Sequence, residues 1–237
     1  MKKFILSLAA AVCAFTTANA EVEVSGGVDI VSASIWRGTT CGGPSIQPAA
    51  TISAAGFSVT AWASQEIAAS GQAAAELDFT LAYSVAGFTA AYTNYWWSPA
   101  DGPYFTKGTH LSEITLGYEF GESFPLAVSI NTMIAGDQDF KSEYDETEGS
   151  DQAFSTYVDF SYPFSIACVD CAATVAITPW TGMYSGSKEG FQVASVGLNF
   201  SKNIIETENF SLPLFVDVSF SPAQKESYLV AGMSFGF

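Results

Sequence analysis

Apolar and polar residues alternate through most of this chain with a period of two. In AELDFTLAYSVA (75–86), Leu77, Phe79, Leu81, Tyr83 and Val85 fall on one parity, and Glu76, Asp78, Thr80 and Ser84 on the other. Successive side chains of a strand point to opposite faces, so this spacing predicts a strand with one apolar and one polar face. EVEVSGGVDI, FSTYVDFSY, VGLNF and LFVDVSF follow the same rule. So does the C-terminal SYLVAGMSFGF, where Leu229, Ala231, Met233, Phe235 and Phe237 share a face. No segment sustains a 3.6-residue period.

Turn signals cut this pattern into about twelve strands. They are 21–37, 46–55, 57–66, 75–86, 88–98, 111–121, 124–135, 152–163, 172–184, 190–201, 212–221 and 227–237. AAGFSV around Gly56 and VAGFTA around Gly87 are near copies, and FGESFP is a third short reversal. Each glycine sits where a tight hairpin needs positive φ. Longer polar stretches lie between the short reversals: GTTCGGPS, SQEIAASGQAA, SPADGPYFTKGTH and GDQDFKSEYDETEGSDQ. PFSIACVDC and SKNIIETENFS read as two longer connections on the short-turn side. Pro179 lies inside a strand span and marks a bulge or a boundary, because proline cannot donate to the ladder.

The N-terminus changes the setting. Lys2 and Lys3, the apolar FILSLAAAVCAF and the A-x-A triplet Ala18-Asn19-Ala20 form a secretory signal, so residues 1–20 are expected to be removed and 21–237 to fold as one domain. The net charge is −16, and loss of the two lysines leaves six cations against 24 acids, a net of −18. That charge argues against nucleic acid as a partner. Aromatics make up 14 % of the chain, too many for a disordered acidic protein. After the signal there is no apolar run long enough for a transmembrane helix.

Export without an anchor, short turns alternating with long loops, and an apolar closing strand together point to an all-β antiparallel transmembrane barrel in the bacterial outer membrane. In hydrocarbon every backbone N–H and C=O must be paired, so a sheet spans only by closing on itself. The last strand must then pair with EVEVSGGVDI. Trp36, Tyr95, Trp96, Trp97, Tyr104, Trp180 and Tyr184 crowd near strand ends, where Tyr and Trp suit the headgroup level.

SASIWRGTTCGGPSIQPAATISAAGFSVTAWAS followed by ELDFTLAY resembles the first third of the TorF-type porin family of bacterial outer-membrane barrels. The matching positions are Ser34, Trp36, Arg37, Gly38, Ile46, Gln47, Gly56, Phe57, Trp62, Ala63, Ser64 and Glu76, within residues 28–95. Ile35 takes an aromatic-leaning place, and Pro48 stands where the family tends to have glycine. The resemblance implies a pore-like barrel and supplies no substrate. A terminal strand ending in Phe235 and Phe237 resembles the signal such barrels present to their assembly machinery.

The polar parity assigns Glu23, Asp29, Glu76, Asp78, Glu113, Glu119, Asp159 and Asp217 to the lumen, with Arg37 as the obvious cation. A wall lined by acids favours cations. The expected function is therefore passive diffusion of small solutes with cation preference; the alternative is a barrel filled by its own side chains, without flux. Arg37 is read chiefly as a structural tie for the first loop beside Glu76. An enzyme is not expected. His110 and Ser112 share a face and could serve a lipid hydrolase, but the sequence fixes no third partner for them. Cys168 and Cys171 are a disulfide candidate or two idle thiols, and zinc would need two more ligands. The acidic loop at 136–152 reads as solvated rather than as a Ca²⁺ site. No cofactor or metal is expected. The partners are membrane lipid, assembly machinery and small solutes, for a monomer or a loose oligomer.

Overall fold

The structure, a computed structural model, describes residues 21–67, 74–98, 104, 109–147, 149–186 and 188–236. The signal segment and Phe237 lie outside the described residues. Twelve antiparallel strands close into one barrel. They are β1 (Glu23–Val31), β4 (Ser45–Ala54), β5 (Phe57–Glu66), β6 (Ala75–Val85), β7 (Phe88–Ser98), β8 (His110–Glu119), β9 (Ala127–Ala135), β10 (Thr156–Ile166), β11 (Val169–Thr178), β12 (Gln192–Thr207), β13 (Phe210–Ser221) and β14 (Glu226–Gly236). Two short strands, β2 (Ser34–Trp36) and β3 (Thr39–Gly42), form a separate hairpin between β1 and β4. One helical turn, α1 (Lys141–Tyr144), lies in the loop before β10. Among the described residues no helix is long and apolar enough to cross a membrane.

Closure follows the expected seam. β1 pairs with β14 through Val28↔Phe235 and Ile30↔Met233, and with β4 through Val28↔Pro48 and Ile30↔Ile46. The parity read from the sequence sorts the two faces. Leu81, Val85, Tyr92, Leu116, Leu198 and Leu229 point out and are exposed, whereas Glu76, Asp78 and Thr93 point in and are buried. Such a broad apolar exterior is unsuited to water and suited to hydrocarbon. Inside, hydroxyl pairs link neighbouring strands, among them Thr80–Thr93 at 2.9 Å and Thr51–Thr60 at 2.8 Å.

One end of the barrel is finished by short turns. Phe57–Tyr83, Tyr118–Phe120–Phe124–Tyr162 and Phe210–Phe235 make aromatic contacts there, with ring centroids 4.5–6.5 Å apart. This girdle has the position of a membrane-interface belt. PFSIACVDC and SKNIIETENFS are not long connections. β10 and β11 turn over at Ala167–Cys168, and β12 and β13 run on to a turn between Thr207 and Phe210. The ladders prolong the strands because each added residue still finds a backbone partner across the hairpin. β11 stops at Thr178, so Pro179 marks a boundary, and the β11–β12 bulge falls at Ala176/Ile177 instead.

The turn at Ala86–Gly87 has φ of 51° and 82°. A Cβ at Gly87 would meet the Glu119 carbonyl oxygen at 2.6 Å, a backbone atom that cannot step aside. Gly87→Ala is expected to cost about 1–2 kcal/mol from left-handed backbone alone, and more with the clash. A lowered urea midpoint for the refolded variant in vesicles checks it.

Candidate functional site: the lumen and its hairpin plug

A twelve-stranded cylinder is wider than the eight-stranded one that side chains alone can fill. The β2–β3 hairpin narrows it by turning into the lumen. Its tip is Arg37–Gly38, with φ of 49° and 80°. Arginine adopts that region only when its surroundings compel it. At Gly38 a Cβ would sit 3.0 Å from Ser221 on β13, so the tip is pressed against the wall. Tyr228 on β14 donates to the Gly38 carbonyl at 2.8 Å. At the hairpin's base, Glu66 accepts from the backbone N–H of Gly43 at 2.8 Å and of Ala74 at 2.9 Å.

The tip crosses the barrel. Arg37 Nη2 donates to Glu113 Oε1 at 3.0 Å and Nη1 donates to Glu113 Oε2, a two-pronged pair with β8. Nη1 also donates to Tyr184 Oη at 2.7 Å, from the β11–β12 loop. The guanidinium lies 4.8 Å from the Trp36 ring centroid, 5.0 Å from Tyr157 and 5.5 Å from Tyr184. Tyr95 on β7 donates to Glu113 at 2.9 Å. Trp36 contacts Tyr95, Trp97 and Tyr184 at centroid distances of 5.4, 6.0 and 5.8 Å. Two buried clusters, Tyr95–Leu111–Met133 and Tyr157–Ala176–Tyr184–Ala194, are thus bridged by Trp36 and Met183.

Beside this plug lies a cavity of about 400 Å³. Asp29, Ser34, Arg37, Gln47, Tyr157, Thr174, Ser195, Asn199, Asp217 and Ser219 are among its walls. Asp217 accepts from Asn199 at 2.6 Å. Asp159 accepts from Asn131 at 3.1 Å and from Ser129. Glu119 is exposed at the short-turn end, beside Gly121, Glu122 and Pro125.

The structure therefore brings Arg37 and Glu113 together and places Glu76 and Asp78 on β6, separated from Glu113 on β8 by β7. Arg37 ties the hairpin to Glu113, not to Glu76. Asp159 and Asp217 are held by amide and hydroxyl donors, and Glu23 is exposed at the start of β1. Trp36, Tyr95, Trp97 and Tyr184 do not belong to an interfacial belt. They point inward, since Tyr95 and Trp97 share the parity of Thr93. That parity was the signal available in the sequence. Asn94 and Asn199 carried no separate signal.

His110 and Ser112 do share the outer face, and β7 supplies a neighbour, Asn94. His110 Nδ1 lies 2.8 Å from Asn94 Oδ1, and Nε2 is taken by the Tyr104 carbonyl. Ser112 Oγ bonds instead to Tyr92 Oη at 3.0 Å and to Asn94 Nδ2 at 3.4 Å. The imidazole and the serine are thus each committed to other groups.

Cys168 is exposed in the β10–β11 turn and Cys171 is buried, and both are free thiols. Burial, followed by the nearby Glu76, pushes the Cys41 thiol up to about 12. The acidic loop is not uniformly solvated. Asp139 is fully buried, accepts from Gln152 at 2.5 Å and from the Ser155 N–H at 3.2 Å, and is pushed up by burial against those bonds. Among the described residues no three His, Cys, Asp or Glu side chains group to hold a metal.

Fold and site define a membrane β-barrel of twelve strands, apolar outside, polar and acidic inside, with an inward hairpin. No family model matches the chain, and no curated protein matches it. Among solved structures, one described as "Unveiling the Mechanism Behind the in-meso Crystallization of Membrane Proteins" is similar over 90 % of this chain and 83 % of that one, at 10 % identity and a TM-score of 0.47. A likeness of that size carries no argument, and the class rests on the barrel itself.

Proposed function

We propose that this chain is a bacterial outer-membrane porin of the TorF type, passing small solutes by diffusion with preference for cations. The observation that carries the reading is the polar cavity of about 400 Å³ whose acids, Asp29 and Asp217, share its walls with a single cation, Arg37, already spent on Glu113. Acids left unneutralised in a narrow low-dielectric lumen raise the local cation concentration. In this reading the short turns face the periplasm, the long loops face outward, and the hairpin sets the width of the path. Phe235, on the outer face of the closing strand, and Phe237 serve recognition by the assembly machinery.

Planar bilayers test this. The purified protein is expected to give unitary steps whose reversal potential in a KCl gradient has the sign of faster K⁺ than Cl⁻ movement. Liposomes that stay tight to small ions would support the structural, non-conducting alternative instead.

The chain is proposed to have no lipid-hydrolysing activity, because Ser112 bonds to Tyr92 and Asn94 and not to a base. Parent protein mixed with phospholipid micelles is expected to release no fatty acid. Release that stops in His110→Ala would overturn this.

A further inference from the structure

The luminal parity of β13 runs Ser211, Pro213, Phe215, Asp217 and Ser219, and Phe215 is its aromatic exception. The Phe215 ring lies on the backbone of Gly232, the residue opposite it on β14, where an added Cβ would fall within the ring. Glycine in a strand allows such a close approach. Val31 pairs with the same glycine from β1, and Val230 precedes it on the same face of β14; both valines are buried. Phe215, Val31 and Val230 thus form an apolar band in the wall of the cavity of about 400 Å³ beside the hairpin.

A carboxylate stands at each end of this band. Asp29 pairs with Ser234 on β14, and Asp217 pairs with Val230. Gly232 lies midway between those two positions, so the ring seated on it lies between the acids. Val230 and Ser234 are four residues apart, about 13 Å along the strand. That is wider than one metal ion spans, since its carboxylate ligands sit at about 2.3–2.6 Å. Asn199 donates to Asp217 Oδ1 at 2.6 Å and so commits one of its two oxygens. Arg37, also in the wall, is already neutralised by Glu113.

We propose that this cavity binds unbranched aliphatic diammonium ions, one ammonium at Asp29, the other at Asp217, and the methylene chain across Phe215, Val31 and Val230. The inference rests on the cation preference proposed above and narrows it to one chemical class. The match is one of order as well as charge: acid, apolar band, acid along the wall; cation, methylenes, cation along the ligand. Each methylene taken out of water against the band adds affinity. An ammonium is also attracted to the face of an aromatic ring. A metal dication concentrates its charge at one point, and a monoamine supplies only one end, so neither uses the whole wall.

The test is equilibrium dialysis of the whole folded protein in detergent against α,ω-diaminoalkanes of increasing length, with butylamine and Mg²⁺ as comparisons. Affinity is expected to rise from diaminoethane to diaminooctane and to exceed that for butylamine or Mg²⁺. Asp29→Asn and Asp217→Asn should each weaken diaminooctane binding about tenfold, the usual scale for losing a bond to a charged group. Phe215→Ser should flatten the dependence on chain length, whereas Glu122→Gln in an exposed short turn should change nothing. Heat-dependent gel mobility shows that each variant has folded. Equal retention of diaminoethane, diaminooctane and Mg²⁺ overturns the site, because the wall would then attract any cation. So does undiminished binding in folded Asp29→Asn and Asp217→Asn. Dialysis needs no flow through the barrel: diamine retained by a protein that is silent in bilayers sinks the porin reading alone. Cation-selective steps from a protein that retains no diamine sink the site alone.

Discussion

Arg37→Ala is expected to release the hairpin tip from the lumen and lower the stability of the folded barrel by about 3–5 kcal/mol, the usual effect of breaking a buried ion pair from one side. Glu113 is only 1 % exposed and would be left with Tyr95 and Thr115 as neighbours but no cation. The loss is not electrostatic alone. The guanidinium also stacks on Trp36, Tyr157 and Tyr184, and those contacts go with it, while relief of the left-handed backbone at position 37 offsets part of the loss. Lysine should rescue only part, because an ammonium is a point charge without the planar two-pronged fit. Removing both partners should cost less than removing either, since no charge is then stranded. Urea unfolding in vesicles measures these differences. In bilayers the same Arg37→Ala protein is expected to show larger unitary steps than the parent. An unchanged urea midpoint would mean that the pair does not hold the hairpin.

Leu81→Arg is expected to cost about 2–4 kcal/mol when the barrel sits in a bilayer, the penalty for arginine on the lipid face at midplane. Leu81 is near the middle of β6, 50 % exposed, between Val59 on β5 and Tyr92 on β7. In water such an exposed position would tolerate arginine within a few tenths of a kcal/mol. The contrast makes the substitution a direct test of what surrounds the barrel. Thr80→Arg, one residue back and facing in, escapes the lipid penalty and should act on conductance instead. Equal, small effects at both positions would contradict a membrane exterior.

The row Leu77–Phe79–Leu81–Tyr83–Val85 was legible because alternation is a local property: each side chain's face follows from the backbone of its own strand. The same logic gave the twelve barrel strands, the seam between β1 and β14, and the inward direction of Glu76, Asp78 and Glu113. It failed where one strand passes into another element. Residues 34–36 continue the parity of β1, so the span 21–37 read as one strand, although β1 ends at Val31 and the hairpin turns inside. It failed again for Tyr95 and Trp97, whose place near a strand end suggested the membrane surface while their parity with Thr93 pointed to the lumen.

The sequence by itself determined the strands, their two faces and, through the need to pair every backbone group in lipid, a closed cylinder. The tertiary structure alone decided how that cylinder is filled. Arg37 and Glu113 stand 76 residues apart, and Arg37 and Tyr184 147 apart. No short-range pattern encodes which wall a hairpin tip will reach across a lumen. That depends on the diameter set by all twelve strands together, and on which buried charge is left to be met when they close.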